Sequence, residues 1–317
     1  MEAAVSVVTR RDIEAAAGRI SSRVRVTPVV DLEPGAFGVP ARVSLKLELM
    51  QHTGSFKPRG AFNRVLSSGV PAAGLVAASG GNHGLAVAHV ARELGVPAEV
   101  FVPTSSSAVK VSRLRHYGAQ ITVIGEYYAD AYTASERRAA ETGALVVHAY
   151  DQSEVVAGQG TVGAELDCQL PGLDTVLVAV GGGGLLGGIA TWFNGQARVV
   201  AVEPERIPTL AAALDAGHPV DVKVGGIAAD SLGARRIGEV GLWAAQDAHV
   251  QSVLVSDQAI VAARQRLWDE MRVAAEAGGA TALAALTCGA YRPMPGERVA
   301  VIVCGGNTNP ADLIAEA

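Results

Sequence analysis

The chain has 317 residues, of which 49% are hydrophobic and 4% aromatic, and its formal net charge is −5. This length is enough for a two-domain protein with a sizeable core, and the negative charge gives no basic surface, so no nucleic-acid partner is expected. The three cysteines, Cys168, Cys288 and Cys304, form no CxxC pair, which is typical of a reducing compartment rather than a disulfide scaffold.

The N-terminal segment, MEAAVSVVTRRDIEAAAGRI, lacks the cationic start and the long apolar core of a signal peptide. Glycine, polar or charged residues interrupt every apolar stretch before it reaches the length of a membrane span. The sequence therefore predicts a soluble, cytoplasmic protein with no membrane partner.

Short apolar runs alternate with helical patterns along the chain. Runs rich in valine and isoleucine, without strict alternation, are predicted to be strands buried on both faces. These runs cover residues 75–79, 98–102, 120–124, 144–148, 175–180, 198–203 and 298–304. The run VSLKLEL at 43–49 alternates apolar and polar residues and is predicted to lie near a sheet edge. Predicted helices cover residues 83–95, 108–117, 128–142, 154–169, 258–273 and 280–291.

The repeated strand–helix–strand order predicts an α/β protein with parallel sheets flanked by helices. The strand–helix units from about residue 73 to 147 are predicted to form a small domain. Residues 1–72 and 148–317 would then form the large domain.

Three glycine-rich turns each follow a predicted strand: GGNHG at 80–84, GGGGLLGG at 181–188 and GGNTNP at 305–310. A helix is predicted after each turn, and ligands of parallel α/β proteins bind in such turns. The consecutive glycines of the second turn leave backbone N–H groups accessible at a helix N-terminus, which suits a phosphate. Taken singly, each turn has a simpler interpretation, such as a loose connection or a helix capped by Asn82.

A dinucleotide site is an alternative for the second turn. The G-x-G-x-x-G spacing fits when it is counted from Gly182, and Glu203 is an acidic residue at about the expected 20-residue distance. This alternative does not explain the other two turns or the segment around Lys57.

Lys57 lies in MQHTGSFKPRGAFN (50–63), where glycine, serine and proline indicate a bend that directs one amine toward a site. A lysine amine reacts with an aldehyde, a glycine-rich helix N-terminus binds phosphate, and a polar group at a strand end can meet a ring nitrogen. Pyridoxal 5′-phosphate requires all three. The combination therefore indicates that cofactor.

Several motifs together resemble the fold-type II (tryptophan synthase β-like) pyridoxal phosphate enzymes, specifically the serine/threonine dehydratase and serine racemase branch. The motifs are TGSFKPRGA (53–61), SGGNHG (79–84), AGQGT (157–161), GGGGLLGG (181–188), VEP (202–204) and VCGGN (303–307). They cover nearly the whole chain in the order of the family. The resemblance implies two domains, each a mostly parallel sheet flanked by helices, with the active site in the cleft between them.

The resemblance also implies roles for individual residues. Lys57 would bind the cofactor aldehyde covalently, Phe56 would pack beside the ring, and Asn82 would hydrogen-bond the ring's 3-oxygen. Cys304 would lie beside the ring nitrogen as a neutral partner. The phosphate would be bound by backbone N–H groups of Gly181, Gly182, Gly183, Gly184 and Leu185. Backbone amides would bind the substrate carboxylate at Ser79, Gly81, Asn82 and His83.

The activity implied is conversion of L-serine or L-threonine to a 2-oxo acid and ammonia, with the Lys57 amine removing the Cα proton. Relatives are commonly homodimers, so a homodimer is expected. Glu203 matches a cation-binding glutamate of the family, Ile207 would offer its carbonyl, and Thr209 replaces the aspartate of divalent-binding relatives. A monovalent cation is therefore expected, and the alternative is a Glu203 carboxylate paired with a nearby arginine.

Other activities stay open from the sequence. A serine racemase is disfavoured because Gly80 replaces the serine that acts as its second base, and Leu85 replaces the glutamine of its nucleotide site. A dehydratase for another β-hydroxy amino acid, such as 3-hydroxyaspartate, and a catalytically silent cofactor-binding protein are further alternatives. The chain ends at Ala317, so no regulatory domain of the ACT type is expected. Residues 225–238 are expected near the active-site entrance.

Overall fold

The computed structural model describes residues 7–104, 106, 108–126 and 128–313. Its strands are β1 Val29–Asp31, β2 Arg42–Lys46, β3 Leu75–Ala78, β4 Ala98–Val102, β5 Gln120–Val123, β6 Leu145–Val146, β7 Thr175–Ala179, β8 Arg198–Pro204, β9 Gln251–Val255 and β10 Arg298–Ile302. Its α-helices are α1 Arg10–Ile20, α2 Lys57–Ser68, α3 Asn82–Leu94, α4 Ala108–His116, α5 Tyr128–Thr142, α6 Ser153–Gln169, α7 Gly184–Phe193, α8 Thr209–Ala216, α9 Ala229–Leu232, α10 Glu239–Asp247, α11 Asp257–Met271 and α12 Ala277–Thr287. Short 3₁₀ helices cover Ala36–Gly38, Glu48–Met50, His52–Gly54 and Pro310–Leu313.

The strands form two sheets, and both are mostly parallel. The larger sheet has the order β1-β2-β10-β7-β8-β9, and the smaller one has the order β5-β4-β3-β6. The β1–β2 pair is antiparallel, and the other pairs are parallel. The predicted fold class, α/β with parallel sheets flanked by helices, is confirmed.

The distribution of strands supports the proposed domain division, which stays a prediction. All strands of the smaller sheet come from residues 75–146, whereas the larger sheet takes strands from before and after that range. Helix α2 belongs by sequence to the predicted large domain but packs against the smaller sheet. Its Phe62 and Val65 are buried in the same hydrophobic core as Leu75 and Val100 of that sheet. Residues ahead of the small domain therefore help to form its core.

Three local predictions differ from the structure. The bend indicated around Lys57 lies just before it, at Thr53 (φ 62°) and Gly54 (φ 79°), and Lys57 itself begins α2. Strand β2 lies next to the edge strand β1, as predicted, but its polar Lys46 is fully buried because its amine pairs with Glu165 (2.8 Å). After the third glycine turn the described residues form only a 3₁₀ helix, and the rest of the predicted last helix lies outside them.

Within the described ranges, no helix is both long enough and apolar enough to cross a bilayer.

Candidate active site

Lys57 stands at the start of α2, where Pro58 favours helix initiation. Its Nζ donates a hydrogen bond to the carbonyl oxygen of Ala149 (2.8 Å) and lies 5.0 Å from the centre of the Phe56 ring. Burial lowers the pKa of Lys57 to about 8, because a desolvated ammonium is disfavoured. A substantial fraction of the amine is therefore neutral near that pH, which is the form that a general base requires.

The glycine run after β7 is tightly packed. A Cβ atom on Gly182 would lie 2.2 Å from the Tyr150 ring, and Gly183 has φ +86°, a left-handed conformation that glycine adopts without strain. The run leads directly into α7, which begins at Gly184. Backbone amides at such a helix N-terminus face an anion favourably. The arrangement is suited to bind a phosphate group, and phosphate binding by these glycines stays a prediction.

Asn82 is fixed by two polar partners from distant parts of the chain. Its Nδ2 donates to Glu276 Oε1 (2.6 Å), and its Oδ1 accepts from Asn307 Nδ2 (2.7 Å). Asn307 Nδ2 also donates to the carbonyl oxygen of Thr53 (2.7 Å). The network therefore joins the first and third glycine turns to the segment that precedes Lys57.

Glu276 is a site residue that the sequence did not suggest. It is 8% exposed, and burial raises its pKa to about 7, although the hydrogen bond from Asn82 opposes this shift. A Cβ atom on Gly305 would lie 2.0 Å from Glu276 Oε1. The glycine of the third turn thus makes room for this carboxyl group beside Asn82. A lone acidic residue before the small-residue run AGGATA (277–282) was the available signal.

Replacing Glu276 by glutamine is expected to change how stability depends on pH. An unfolded glutamate titrates near pH 4.3, whereas the folded pKa is about 7, so the folded protein binds more protons between these values. The stability of the wild type should therefore fall, relative to Glu276→Gln, as pH rises from 5 to 7, and level off above. Urea unfolding of both proteins at pH 5, 6, 7 and 8 measures this difference, and parallel profiles would contradict it.

Cys304 follows β10 at the edge of the same pocket. It is 3% exposed, its Sγ lies 3.5 Å from the carbonyl oxygen of Gly278, and burial raises the pKa of its thiol to about 12. The thiol therefore stays protonated and neutral. This property matches the neutral partner expected for a ring nitrogen.

The predicted carboxylate-binding turn stands at the start of α3. Ser79 Oγ accepts a hydrogen bond from Gly81 N (3.2 Å), and the first helical bond of the turn runs from Leu85 N to Gly81 O (3.1 Å). His83 Nε2 lies 2.7 Å from the carbonyl oxygen of Val147, and burial lowers the His83 pKa to about 3, so its imidazole is neutral. The His83 side chain thus connects the turn to the backbone at Val147. Carboxylate binding by the backbone amides stays a prediction.

Glu203 lies behind the glycine run, fully buried. Its carboxylate accepts hydrogen bonds from Leu210 N (2.7 Å), Ala211 N (2.9 Å) and Thr209 Oγ1 (3.1 Å). Thr209 Oγ1 also lies 2.6 Å from the carbonyl oxygen of Gly181. The Ile207 carbonyl accepts from Thr209 N (3.0 Å). In this structure the carboxylate's partners are therefore the first turn of α8 and a nearby serine, Ser252 (3.2 Å).

One pocket brings together every residue predicted to bind the cofactor. It is lined by Phe56, Lys57, Asn82, Gly181, Gly182, Gly183, Gly184, Leu185 and Cys304. Additional lining residues are Tyr150, Ala179, Leu186, Ser231, Leu232, Glu276 and Gly278. Two of these lining residues, Ser231 and Leu232, belong to the segment predicted to lie near the entrance, and Leu232 packs against Gly181. An amine, an anion cradle, an amide and a neutral thiol in one pocket fit pyridoxal phosphate.

Comparison with known proteins agrees with this geometry. Residues 20–305 match the family described as pyridoxal-phosphate dependent enzymes. The chain is 36% identical to a phenylserine dehydratase of Ralstonia pickettii, over 97% of this chain and 96% of that protein. It is 33% identical to an L-threonine ammonia-lyase of Thermotoga maritima, over 95% of this chain and 76% of that protein. The solved structure of maize serine racemase superposes with a TM-score of 0.90 at 31% identity, covering 97% of this chain and 96% of that one. The chain therefore belongs to the pyridoxal-phosphate dependent enzyme family, with the fold-type II architecture.

Proposed function

We propose that this enzyme is a dehydratase that converts L-threonine and L-serine to the corresponding 2-oxo acids and ammonia. The observation that carries the proposal is the Lys57 amine, whose pKa is lowered to about 8 and which shares one pocket with the glycine cradle and the neutral Cys304 thiol. Relatives named as threonine ammonia-lyases support the same reaction.

In the proposed elimination, different residues of the chain have different roles. Bound pyridoxal phosphate supplies a ring that accepts electrons and thereby acidifies the Cα hydrogen of an attached amino acid. The Lys57 amine takes up that proton, and the bond from Cβ to the hydroxyl oxygen breaks. The hydroxide that leaves and one proton, equal to the one taken from Cα, make up the water that is lost. Amides of the first turn of α3 bind the substrate carboxylate. The released enamine then hydrolyses to a 2-oxo acid and ammonia, which balances the reaction without an oxidant.

Gly80 bears on the competing racemase activity. It offers no side chain as a second base, but a Cβ atom at this position would lie 3.1 Å from Ser106 Oγ. A hydroxyl group is therefore close to the place that the racemase serine occupies in relatives. For this reason the formation and consumption of D-serine belong in the test.

The test is a substrate panel with the cofactor-loaded enzyme. Release of 2-oxo acid is measured from L-threonine, L-serine, D-serine, L-threo-phenylserine and threo-3-hydroxyaspartate, and the serine enantiomers are separated to detect racemisation. We expect 2-oxobutyrate and pyruvate from the L-substrates, and little D-serine. Accumulation of D-serine faster than pyruvate would show a racemase instead. A cofactor-loaded protein that converts none of these compounds would match the silent alternative.

We also propose a monovalent cation beside Glu203, a homodimer and a cytoplasmic location. The cation is supported by the single carboxylate of Glu203, which has the neutral hydroxyl oxygens of Thr209 and Ser252 beside it. Activity compared in potassium and tetramethylammonium buffers tests the cation, and light scattering tests the dimer. Fractionation of the source cells tests the location.

A further inference from the structure

The asparagine of the third glycine turn, Asn307, contacts three separate parts of the chain. Its Oδ1 accepts a hydrogen bond from Arg113 Nη2 of α4 (2.5 Å). Its Nδ2 donates to the carbonyl oxygen of Thr53 (2.7 Å) and to Asn82 Oδ1 (2.7 Å). Arg113 and Asn82 belong to the predicted small domain, whereas Asn307 and Thr53 belong to the predicted large domain. Asn307 therefore connects the two predicted domains at Asn82, a residue that lines the pocket.

Two of these contacts determine which end of the Asn307 amide is the oxygen. The two ends of an asparagine amide have nearly the same size, so their assignment follows from their hydrogen-bond partners. A guanidinium such as that of Arg113 can only donate, and a backbone carbonyl such as that of Thr53 can only accept. The Asn307 oxygen therefore faces Arg113, and its nitrogen faces Thr53. That nitrogen also contacts Asn82, so the end of Asn82 nearest to it is the oxygen.

The other end of the Asn82 amide is consequently its nitrogen. This Nδ2 donates to Glu276 Oε1 (2.6 Å). An amide nitrogen carries two hydrogens, and the hydrogen bonds among the described residues use one of them. Asn82 lines the same pocket as Lys57. The Asn82 nitrogen thus keeps one hydrogen that it can donate to a ligand in the pocket.

The backbone beside Asn307 is shaped around this side chain. Thr53 has φ 62°, a left-handed conformation that is strained for a β-branched residue. A Cβ atom on the next residue, Gly54, would lie 2.7 Å from Asn307 Oδ1. The carbonyl oxygen of Gly54 accepts a hydrogen bond from Gly306 N (2.9 Å). Because strained backbone persists only where the surrounding structure holds it, the fold specifies the position of the Asn307 amide.

We infer that Asn307 and Glu276 are positioning residues that hold the Asn82 amide with an N–H group toward the 3-oxygen of the cofactor ring. The inference uses the predicted contact between Asn82 and that oxygen, and it is independent of which amino acid is dehydrated. A hydrogen-bond donor beside the oxygen favours its anionic form. An Asn82 amide turned end for end would present its own oxygen there and would disfavour that form.

Asn307→Asp tests the inference, because it replaces the donating nitrogen by an oxygen of nearly equal size. The new carboxylate repels Asn82 Oδ1 and should turn the Asn82 amide. The pKa of the cofactor bound at Lys57 is read from its visible absorbance as pH is varied. Loss of a hydrogen bond to a charged group should raise this pKa by about 1–2.

The matched control is Asn309→Asp, which adds the same charge two residues along, at an exposed position. Solvent and salt screen an exposed charge, so the cofactor pKa should change by no more than about 0.3 in this variant. Unfolding midpoints establish that both variants keep the fold. Equal pKa values in Asn307→Asp and Asn309→Asp would overturn the inference.

A double-mutant cycle separates the effect of the Asn82 amide from that of the added charge. Asn307→Asp is introduced into the wild type and into Asn82→Ala, which has no amide to turn. The dissociation constant of pyridoxal phosphate is then measured for the four proteins after the cofactor has been removed. Asn307→Asp should raise this constant about tenfold in the wild type and no more than about threefold in Asn82→Ala. An equal factor in both would show that Asn307 acts without Asn82 and would contradict the inference.

The role of Glu276 is tested by a conservative and a non-conservative replacement. The amide oxygen of Glu276→Gln can still accept from Asn82 Nδ2, so its dissociation constant for pyridoxal phosphate should stay within about threefold of the wild type. Glu276→Leu offers no acceptor and should bind the cofactor about tenfold more weakly. Equal losses in the two variants would show that Glu276 acts through its charge and not by positioning Asn82.

These measurements use no substrate, so their outcome is separate from that of the substrate panel. The inference can fail while the enzyme dehydrates L-threonine. It can also hold in a protein that binds the cofactor and converts none of the amino acids tested.

Discussion

Lys57→Ala is expected to abolish 2-oxo acid formation, with a loss of at least about 10³-fold in kcat. In the proposed mechanism the Lys57 amine takes the Cα proton and attaches the cofactor, and the variant removes this amine. Among the described residues that line the pocket, Lys57 is the only lysine and Glu276 the only residue with a carboxyl group, and that carboxyl group accepts a hydrogen bond from Asn82. The measurement is 2-oxo acid release at saturating L-threonine, together with the absorbance of protein-bound cofactor after gel filtration.

The control for this prediction is Lys223→Ala, which removes an exposed lysine. It should retain the activity and the bound cofactor of the wild type. Circular dichroism and the unfolding midpoint of Lys57→Ala establish that the fold survives. Turnover by Lys57→Ala within about tenfold of the wild type would show that another group performs the proton transfer.

Much of the fold was predictable because its central strands are buried on both faces. Strands such as β7 and β8 are continuous apolar runs that lie inside the larger sheet. Edge strands were less visible, since β9 is half-exposed with a mixed sequence and β1 has three residues. Helix α2 was not predicted, because Lys57 is surrounded by glycine and proline, which ordinarily indicate a turn.

The candidate site was predictable to the extent that its residues follow strands. The carboxyl ends of neighbouring parallel strands meet at one sheet edge, so the second and third glycine turns could be expected together. Glu276 and Tyr150 could not be expected in this way. Glu276 contacts Asn82 across 194 positions of the chain, and this proximity follows from tertiary packing, which no local pattern encodes.

Arg59→Met is expected to lower the free energy of unfolding by about 3–5 kcal/mol, because removing one partner leaves buried charges uncompensated. Arg59 and Glu48 are both fully buried, and Arg59 donates to the two oxygens of Glu48 at 2.8 Å each. It also donates to both oxygens of Glu165, at 2.7 and 2.9 Å. Lys46 completes the cluster by pairing with Glu165 (2.8 Å), so two cations balance two carboxylates.

Arg59 lies two residues beyond Lys57 in α2. It forms an ion pair with Glu165 of α6, which also pairs with Lys46 of β2, so the cluster connects these three elements. Arg59→Lys should also be destabilised, since an ammonium cannot reproduce the paired hydrogen bonds of a planar guanidinium. Arg64→Met is the matched control, because its pair with Glu154 is partly exposed and should contribute no more than about 1 kcal/mol. Urea unfolding of the three variants measures these differences. Equal losses of stability in Arg59→Met and Arg64→Met would contradict the expected cost of leaving buried charges uncompensated. If Arg59→Met lost stability as expected yet kept the kcat of the wild type at low temperature, the cluster would stabilise the fold without positioning Lys57.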